Sequence, residues 1–393
     1  MTKSLTKIWL GGLKRLLAIQ AEHAQKRAKR AALKTKRPVG KPGKKARRSA
    51  AEAAVTPVRE SRVRPRAAAW AGGTWTRSFH SAPPAPGRLV NHLSYGLYLP
   101  AGASHAESLP LVVMLHGCKQ TIDEFAEGTR MNLLADRFGF AVVYPEQSKH
   151  SHAHRCWHWY DDREQAGRGE AGAVASLVDA LVAEHGFDAE SVYVAGLSAG
   201  AGLTSLLALH YPERFAAVAL HSGPVFGDAH SGMAAMDVMR RGSHHDPAAL
   251  VDQVTDIATY PGMPAVVIHG DSDRVVAPKN ADQLAVEFAR LNGLVDAEGA
   301  SVAGDVREKR KDGVLTRDYV KGGRRVVRLC RVAGLGHEWA GGDDAVPFHS
   351  SRGPDASALI WDFFQKQRRP QVERAAASPA AADLSPFDAG RDG

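Results

Sequence analysis

VAGLSAGAG, residues 194–202, sets one serine among small residues at the end of the apolar run SVYVA (191–195). A glycine-rich loop closing a strand would account for the composition. The pattern G-x-S-x-G at Gly196–Gly200 also fits a strained strand-to-helix turn, in which small neighbours let the backbone tighten and lift the Ser198 hydroxyl into reach of a base. The choice between a plain loop and a nucleophile turn decides the fold, and the rest of the chain bears on it.

Four further apolar runs share the character of SVYVA: LVVML (111–115), FAVVY (140–144), AAVAL (216–220) and PAVVI (264–268). Their length and β-branched content predict buried strands. Between them EFAEGTRMNLLADRFG (124–139), EAGAVASLVDALVAEHG (170–186), the stretch after Ser198 and KNADQLAVEFARLNG (279–293) carry helical apolar spacing, three of them with a Gly stop. Strand and helix in alternation predict an α/β fold, a mostly parallel, doubly wound sheet with helices on both faces. Residues 225–262 hold no clear strand and are expected to form a helical insertion. GVLTRDYV (313–320) and RRVVRLCRV (324–332) flank a turn and read as a β-hairpin.

The net charge of +9 over 393 residues is unevenly placed. Residues 1–70 hold 20 Lys and Arg against three Glu, so the remainder is mildly acidic. That arm, with stretches such as KTKRPVGKPGKKARRSA (34–50), has too little apolar content to offset the entropy of ordering. The expected organisation is a basic, largely disordered N-terminal extension over 1–74, a catalytic domain over 75–369 and a disordered tail over 370–393. The arm is suited to a granule or other anionic surface. It lacks the interleaved aromatics of a stacking platform, so no specific nucleic-acid recognition is expected. The N-terminus shows no clean cleavage site, no run reaches the ~18 apolar residues of a bilayer span, and the expected location is cytoplasmic, with an extracellular one as the alternative. Three cysteines, Cys118, Cys156 and Cys330, do not by themselves assign an oxidising compartment.

A serine hydroxyl is a weak nucleophile. It needs an imidazole to remove its proton and a carboxylate to hold that imidazole in one tautomer. After PAVVI comes HGDSDRVV, with Asp271 and Asp273 in the turn that follows the strand. Asp273 is preferred, because the first acid after a strand end caps the turn while the second can reach across. After the hairpin, GLGHEWAGG (334–342) presents His337 in a glycine-rich loop. The order Ser198, Asp273, His337, each on a loop after a strand, is the order such a turn requires. LHGCKQ (115–120) follows the strand LVVML, so the backbone N–H groups of Cys118 and of Ala199, the residue after the serine, are the expected oxyanion donors.

LHGCKQ, CWHWYD (156–161), GLSAG, HGDSD and GLGHEWAGG, in this order, resemble the esterases of the polyhydroxybutyrate (PHB) depolymerase type, an α/β-hydrolase group. The resemblance covers the body of the chain and implies a serine carboxylester hydrolase acting on short-chain poly(3-hydroxyalkanoate) polyester or oligomers. Feruloyl and acetylxylan esterases are the alternative it offers. A noncatalytic polyanion-binding protein is the reading from another class. The family pattern CWNW is CWHWY here, with His158 in place of the asparagine. The resemblance also leaves open whether Cys118 and Cys156 form a disulfide or stay thiols.

Trp157, Trp159 and Trp339, together with His158, are the expected substrate-binding residues, because flat aromatics suit an apolar polyester or aromatic acyl group. His150, His152, His154 and His158 invite a metal reading, but no carboxylate or cysteine set completes a coordination shell, and the chemistry needs none. No metal and no cofactor is expected.

Overall fold

The computed structural model describes residues 71–84, 91–103, 108–161 and 166–369. The basic arm over 1–70 and the tail over 370–393 therefore lie outside the described residues. The first strand, β1 (Thr74–Ala82), begins one residue before the boundary expected at 75.

The apolar runs form the centre of the molecule. LVVML is β3 (Leu111–Leu115), followed by β4 (Ala141–Glu146), β5 (Val192–Leu197), β6 (Ala217–His221) and β7 (Ala265–Gly270). The hairpin is β9 (Val314–Lys321) and β10 (Arg324–Val332), and β2 (Asn91–Leu99) and β8 (Asp305–Lys311) complete the set. Among the described residues these ten strands make one sheet in the order β1-β2-β4-β3-β5-β6-β7-β10-β9-β8. From β4 through β10 neighbouring strands run parallel, while β1, β2 and β9 introduce the antiparallel pairings. This is the α/β-hydrolase arrangement.

β3 is buried along its whole length because it has a covered face on each side. Leu111, Val113 and Leu115 join one core cluster, and Val112 and Met114 the other, as the two-residue period of a strand dictates. The first cluster packs under α3 (Glu170–His185), α4 (Ala199–His210) and α7 (Lys279–Leu291). The second packs under α1 (Ile122–Thr129), α2 (Met131–Phe138) and α8 (Ala356–Phe364). The helical insertion over 225–262 contains α5 (Gly232–Arg241), capped by Ser231, and α6 (Pro247–Val254), capped by Asp246.

One expected helix is divided. The stretch 124–139 holds α1 and α2, separated by Arg130 in the left-handed region (φ 58°). Thr121 and Glu124 form a reciprocal capping box that starts α1, and Gly139 stops α2. Two short strands, β11 (Trp339–Ala340) and β12 (His349–Ser350), pair with each other and brace the segment that follows His337.

Candidate active site

The serine of GLSAG stands between β5 and α4 with φ 57° and ψ −118°, a backbone conformation that costs a non-glycine residue roughly 1–3 kcal/mol. Its N–H donates to the His221 carbonyl at 2.9 Å. Two glycines make the turn possible. A Cβ on Gly196 would strike the backbone of Gly200, and one on Gly200 would strike the Leu115 carbonyl.

Asp273 and His337 arrive from the ends of β7 and β10. His337 Nδ1 lies 2.7 Å from Asp273 Oδ2, and its Nε2 lies 2.9 Å from Ser198 Oγ. Because the carboxylate accepts, Nδ1 carries the proton and the Nε2 lone pair faces the serine hydroxyl. Asp273 Oδ1 accepts from the amides of Val275 (2.8 Å) and Val276 (2.9 Å). Burial alone would raise its pKa, but the His337 imidazole and the hydrogen bonds from His269 and His337 outweigh that and hold it far below the ordinary carboxylate range. Asp271 does something different: its Oδ1 accepts from the Gly334 amide at 2.7 Å and ties the β7 turn to the loop before His337.

The loop LHGCKQ passes directly over the serine. Gln120 Oε1 accepts from the Gly117 amide at 2.8 Å, and Lys119 N–H donates to the His154 carbonyl at 2.6 Å. A disulfide joins Cys118 to Cys156. Among the described residues neither the Cys118 nor the Ala199 amide has an intramolecular acceptor, and both residues line the cleft above Ser198. Amides held in this way can receive negative charge with little reorganisation.

Two fully buried histidines support these loops. Gln147 N–H donates to His116 Nε2 at 3.1 Å, so His116 is neutral with its proton on Nδ1, aimed at the Gly117 carbonyl. His221 Nε2 accepts from the Ala340 amide, and the ring stacks on Trp339. Burial lowers the pKa of His116 to about 4 and that of His221 well below 6.5. Below pH 6.5 the unfolded chain takes up protons that the folded chain refuses, so stability present above that pH is lost on acidification. For His116 alone the loss between pH 7 and 5 is about 2 kcal/mol. Thermal melts at the two pH values check this, and His116→Asn, which cannot take up the proton, is expected to flatten the difference.

The cleft is lined by Trp159, Tyr160, Met236, Met239, Val275 and Phe348 on its apolar side and by Gln120, His152, His154, Arg240 and Arg274 among its polar groups. Of the four residues expected to bind substrate, Trp159 reaches the cleft. Trp157, Trp339 and His158 require correction. Trp157 is wholly buried, donating Nε1–H to the His116 carbonyl at 3.0 Å. Trp339 is buried between His221 and Phe125, with its Nε1 bonded to Ser357 Oγ. His158 is held away by Glu170, which accepts its amide at 2.8 Å and lies 2.7 Å from its Nδ1. His152 and His154 face the cleft instead. Their signal was their place just before CWHWYD, but which residues of that loop turn inward depends on the disulfide and on Glu170.

The family model described as "Esterase PHB depolymerase" matches residues 93–312, more than half of the chain. The chain belongs to the PHB depolymerase esterase family. The chain is 33% identical over 260 residues to poly(3-hydroxyalkanoate) depolymerase C of Paucimonas lemoignei, covering 64% of this chain and 59% of that protein. It is 31% identical over 196 residues to feruloyl esterase B of Neurospora crassa, covering 47% of this chain and 65% of that one. With acetylxylan esterase A of Aspergillus ficuum it shares 25% identity over 280 residues, covering 67% of this chain and 84% of the other. The chain thus spans less than two thirds of the first two relatives. An acetyl xylan esterase from Aspergillus awamori has the same fold, with a TM-score of 0.57 at 20% identity over 74% of this chain and 99% of that one. Ser198 and Asp273 fall inside the segment matched by the family model, and His337 beyond it. No helix among the described residues is long and apolar enough to cross a membrane.

Proposed function

We propose that this chain is a serine carboxylester hydrolase that cleaves short-chain poly(3-hydroxyalkanoate) polyester or its oligomers. The hydrogen-bonded chain from Ser198 Oγ through His337 to Asp273, at the floor of an apolar cleft, is the observation that carries the reading. His337 Nε2 takes the hydroxyl proton as Ser198 Oγ attacks the ester carbonyl. The Cys118 and Ala199 amides hold the resulting oxyanion. Collapse breaks the acyl carbon–oxygen bond, and His337 returns its proton to the departing alcohol. Water then enters, loses a proton to His337 and attacks the acyl carbon, and the acid leaves as His337 returns that proton to Ser198 Oγ. Asp273 fixes the imidazole throughout.

The methionine and aromatic lining suits an apolar acyl chain better than a sugar ring, whose hydroxyls need polar partners. With this reading we keep the basic arm as an electrostatic anchor to an anionic granule surface. Between a cytoplasmic and an extracellular location, the Cys118–Cys156 disulfide favours the extracellular one, because cytoplasmic thiols stay reduced.

The test is hydrolysis of amorphous polyhydroxybutyrate granules beside methyl ferulate and p-nitrophenyl acetate. Granule hydrolysis with covalent labelling of Ser198 by a fluorophosphonate is the expected result. Turnover of ferulate or acetate without granule attack moves the substrate to carbohydrate esters, and no labelling with no turnover leaves the noncatalytic reading.

A further inference from the structure

We propose that Arg240 and Arg274 make the cleft selective for esters that carry a free carboxylate on the alcohol side, so that it acts on soluble oligomers and chain ends in preference to the polymer interior. The inference rests on the esterase reading above and names its substrate more closely.

Among the described residues that line the cleft there is no Asp or Glu, yet there are two arginines. Several guanidinium groups elsewhere on the body are paired, among them Arg214 with Asp179, Arg290 with Asp252, and Arg325 and Arg328 with Asp318. Among the described residues Arg240 and Arg274 have neither an ion pair nor a hydrogen bond, and both are exposed to solvent at the cleft. Asp237, the acid of α5, is engaged by Arg241 and His244 instead.

The two arginines are also held in register. The Met239 carbonyl, next to Arg240, accepts the Ala277 amide at 2.6 Å and Asn280 Nδ2 at 3.3 Å. These bonds fasten the end of α5 to the loop that carries Asp273 and Arg274, so the two arginines stand on neighbouring segments at the same cleft. A guanidinium binds a carboxylate through paired N–H donors, and at exposed positions each such pair adds a modest, salt-sensitive preference.

In a 3-acyloxyalkanoate the carboxylate sits two carbons beyond the alcohol carbon. Ser198 Oγ bonds to the acyl carbon, the alcohol oxygen leaves with the proton from His337, and the released 3-hydroxyalkanoate carries the arginine-bound carboxylate away. Water then frees the acyl group as its acid. In the polymer interior every carboxyl is esterified and offers no charge to the arginines.

The test compares kcat/KM for 3-butyryloxybutyrate and its neutral amide, 3-butyryloxybutyramide, in wild type and in R240Q/R274Q. The full chain is used at low ionic strength. The wild type is expected to prefer the carboxylate about 10-fold, about 5-fold or less from each exposed arginine. The double variant is expected to lose that preference, and 0.5 M NaCl to erode it in the wild type. An equal ratio in wild type and variant overturns the proposal, as does failure to hydrolyse either compound while p-nitrophenyl butyrate is turned over. An arginine-dependent preference seen with p-nitrophenyl hemiglutarate alone overturns the alcohol-side placement. Turnover of p-nitrophenyl butyrate that survives Ser198→Ala counts instead against the underlying esterase reading, so the two failures are told apart.

Discussion

Ser198→Ala is expected to lower kcat for ester hydrolysis by about 10⁶, the scale at which loss of a triad serine removes the covalent route. The fold is expected to survive. Alanine fits the space of the serine, the Ser198 N–H bond to the His221 carbonyl belongs to the backbone, and φ at 57° strains alanine no more than serine. Initial rates on p-nitrophenyl butyrate, read beside a thermal melt, separate the two quantities. A variant within 10-fold of the wild type, with an unchanged melt, would remove Ser198 from the chemistry.

Asp273→Asn is expected to cost about 10⁴ in kcat through a proton in the wrong place. Asp273 Oδ1 faces the amides of Val275 and Val276, so an asparagine at this position keeps its carbonyl oxygen there and turns its NH₂ toward His337. The imidazole then accepts at Nδ1, carries its proton on Nε2 and presents a donor to the serine, which needs an acceptor. The variant should also lose a pH dependence. The carboxyl of the folded wild type titrates far below its ordinary range, so it contributes stability that is complete above that range and fades as the pH falls through it. The asparagine has no such contribution. Rates at neutral pH with acid-unfolding curves check both halves, and a variant of near wild-type activity would place the acid elsewhere.

What could be read from the sequence follows burial. β3, β5, β6 and β7 are covered on both faces and therefore appear as unbroken apolar runs. β1 and β8 sit at the two edges of the sheet, and β8, DVREKRK, is exposed at every position. Such strands are held by backbone pairing to a neighbour, and their charged side chains serve to keep the edge from pairing further, so no apolar pattern marks them. The break between α1 and α2 was equally silent, because Arg130 enters the left-handed region without a glycine or proline to announce it.

In the site, the two acids divide their roles differently from the turn-cap expectation: Asp271 reaches across to the Gly334 amide, whereas Asp273 caps its own turn through Oδ1 and meets His337 through Oδ2. The walls were harder. Trp157 and Trp159 are two positions apart in an irregular loop, and their different fates follow from Gly202 making room for Trp159 and the His116 carbonyl claiming the indole of Trp157. Met236, Met239 and Arg240 come from the inserted α5, whose amphipathic pattern says that one face is covered but not what covers it.

The strained turn at Ser198 has a further bearing on how such a chain can change. The conformation that brings the hydroxyl to His337 is one that glycine adopts freely, so selection for thermal stability alone pulls this position toward glycine and loss of the hydroxyl. The buried core around α4 has to offset that cost for serine to persist there. Mutational robustness elsewhere in the sheet is therefore a precondition of a serine at this turn, and variants that erode the core bring the whole chain closer to the threshold at which the strained residue can no longer be carried.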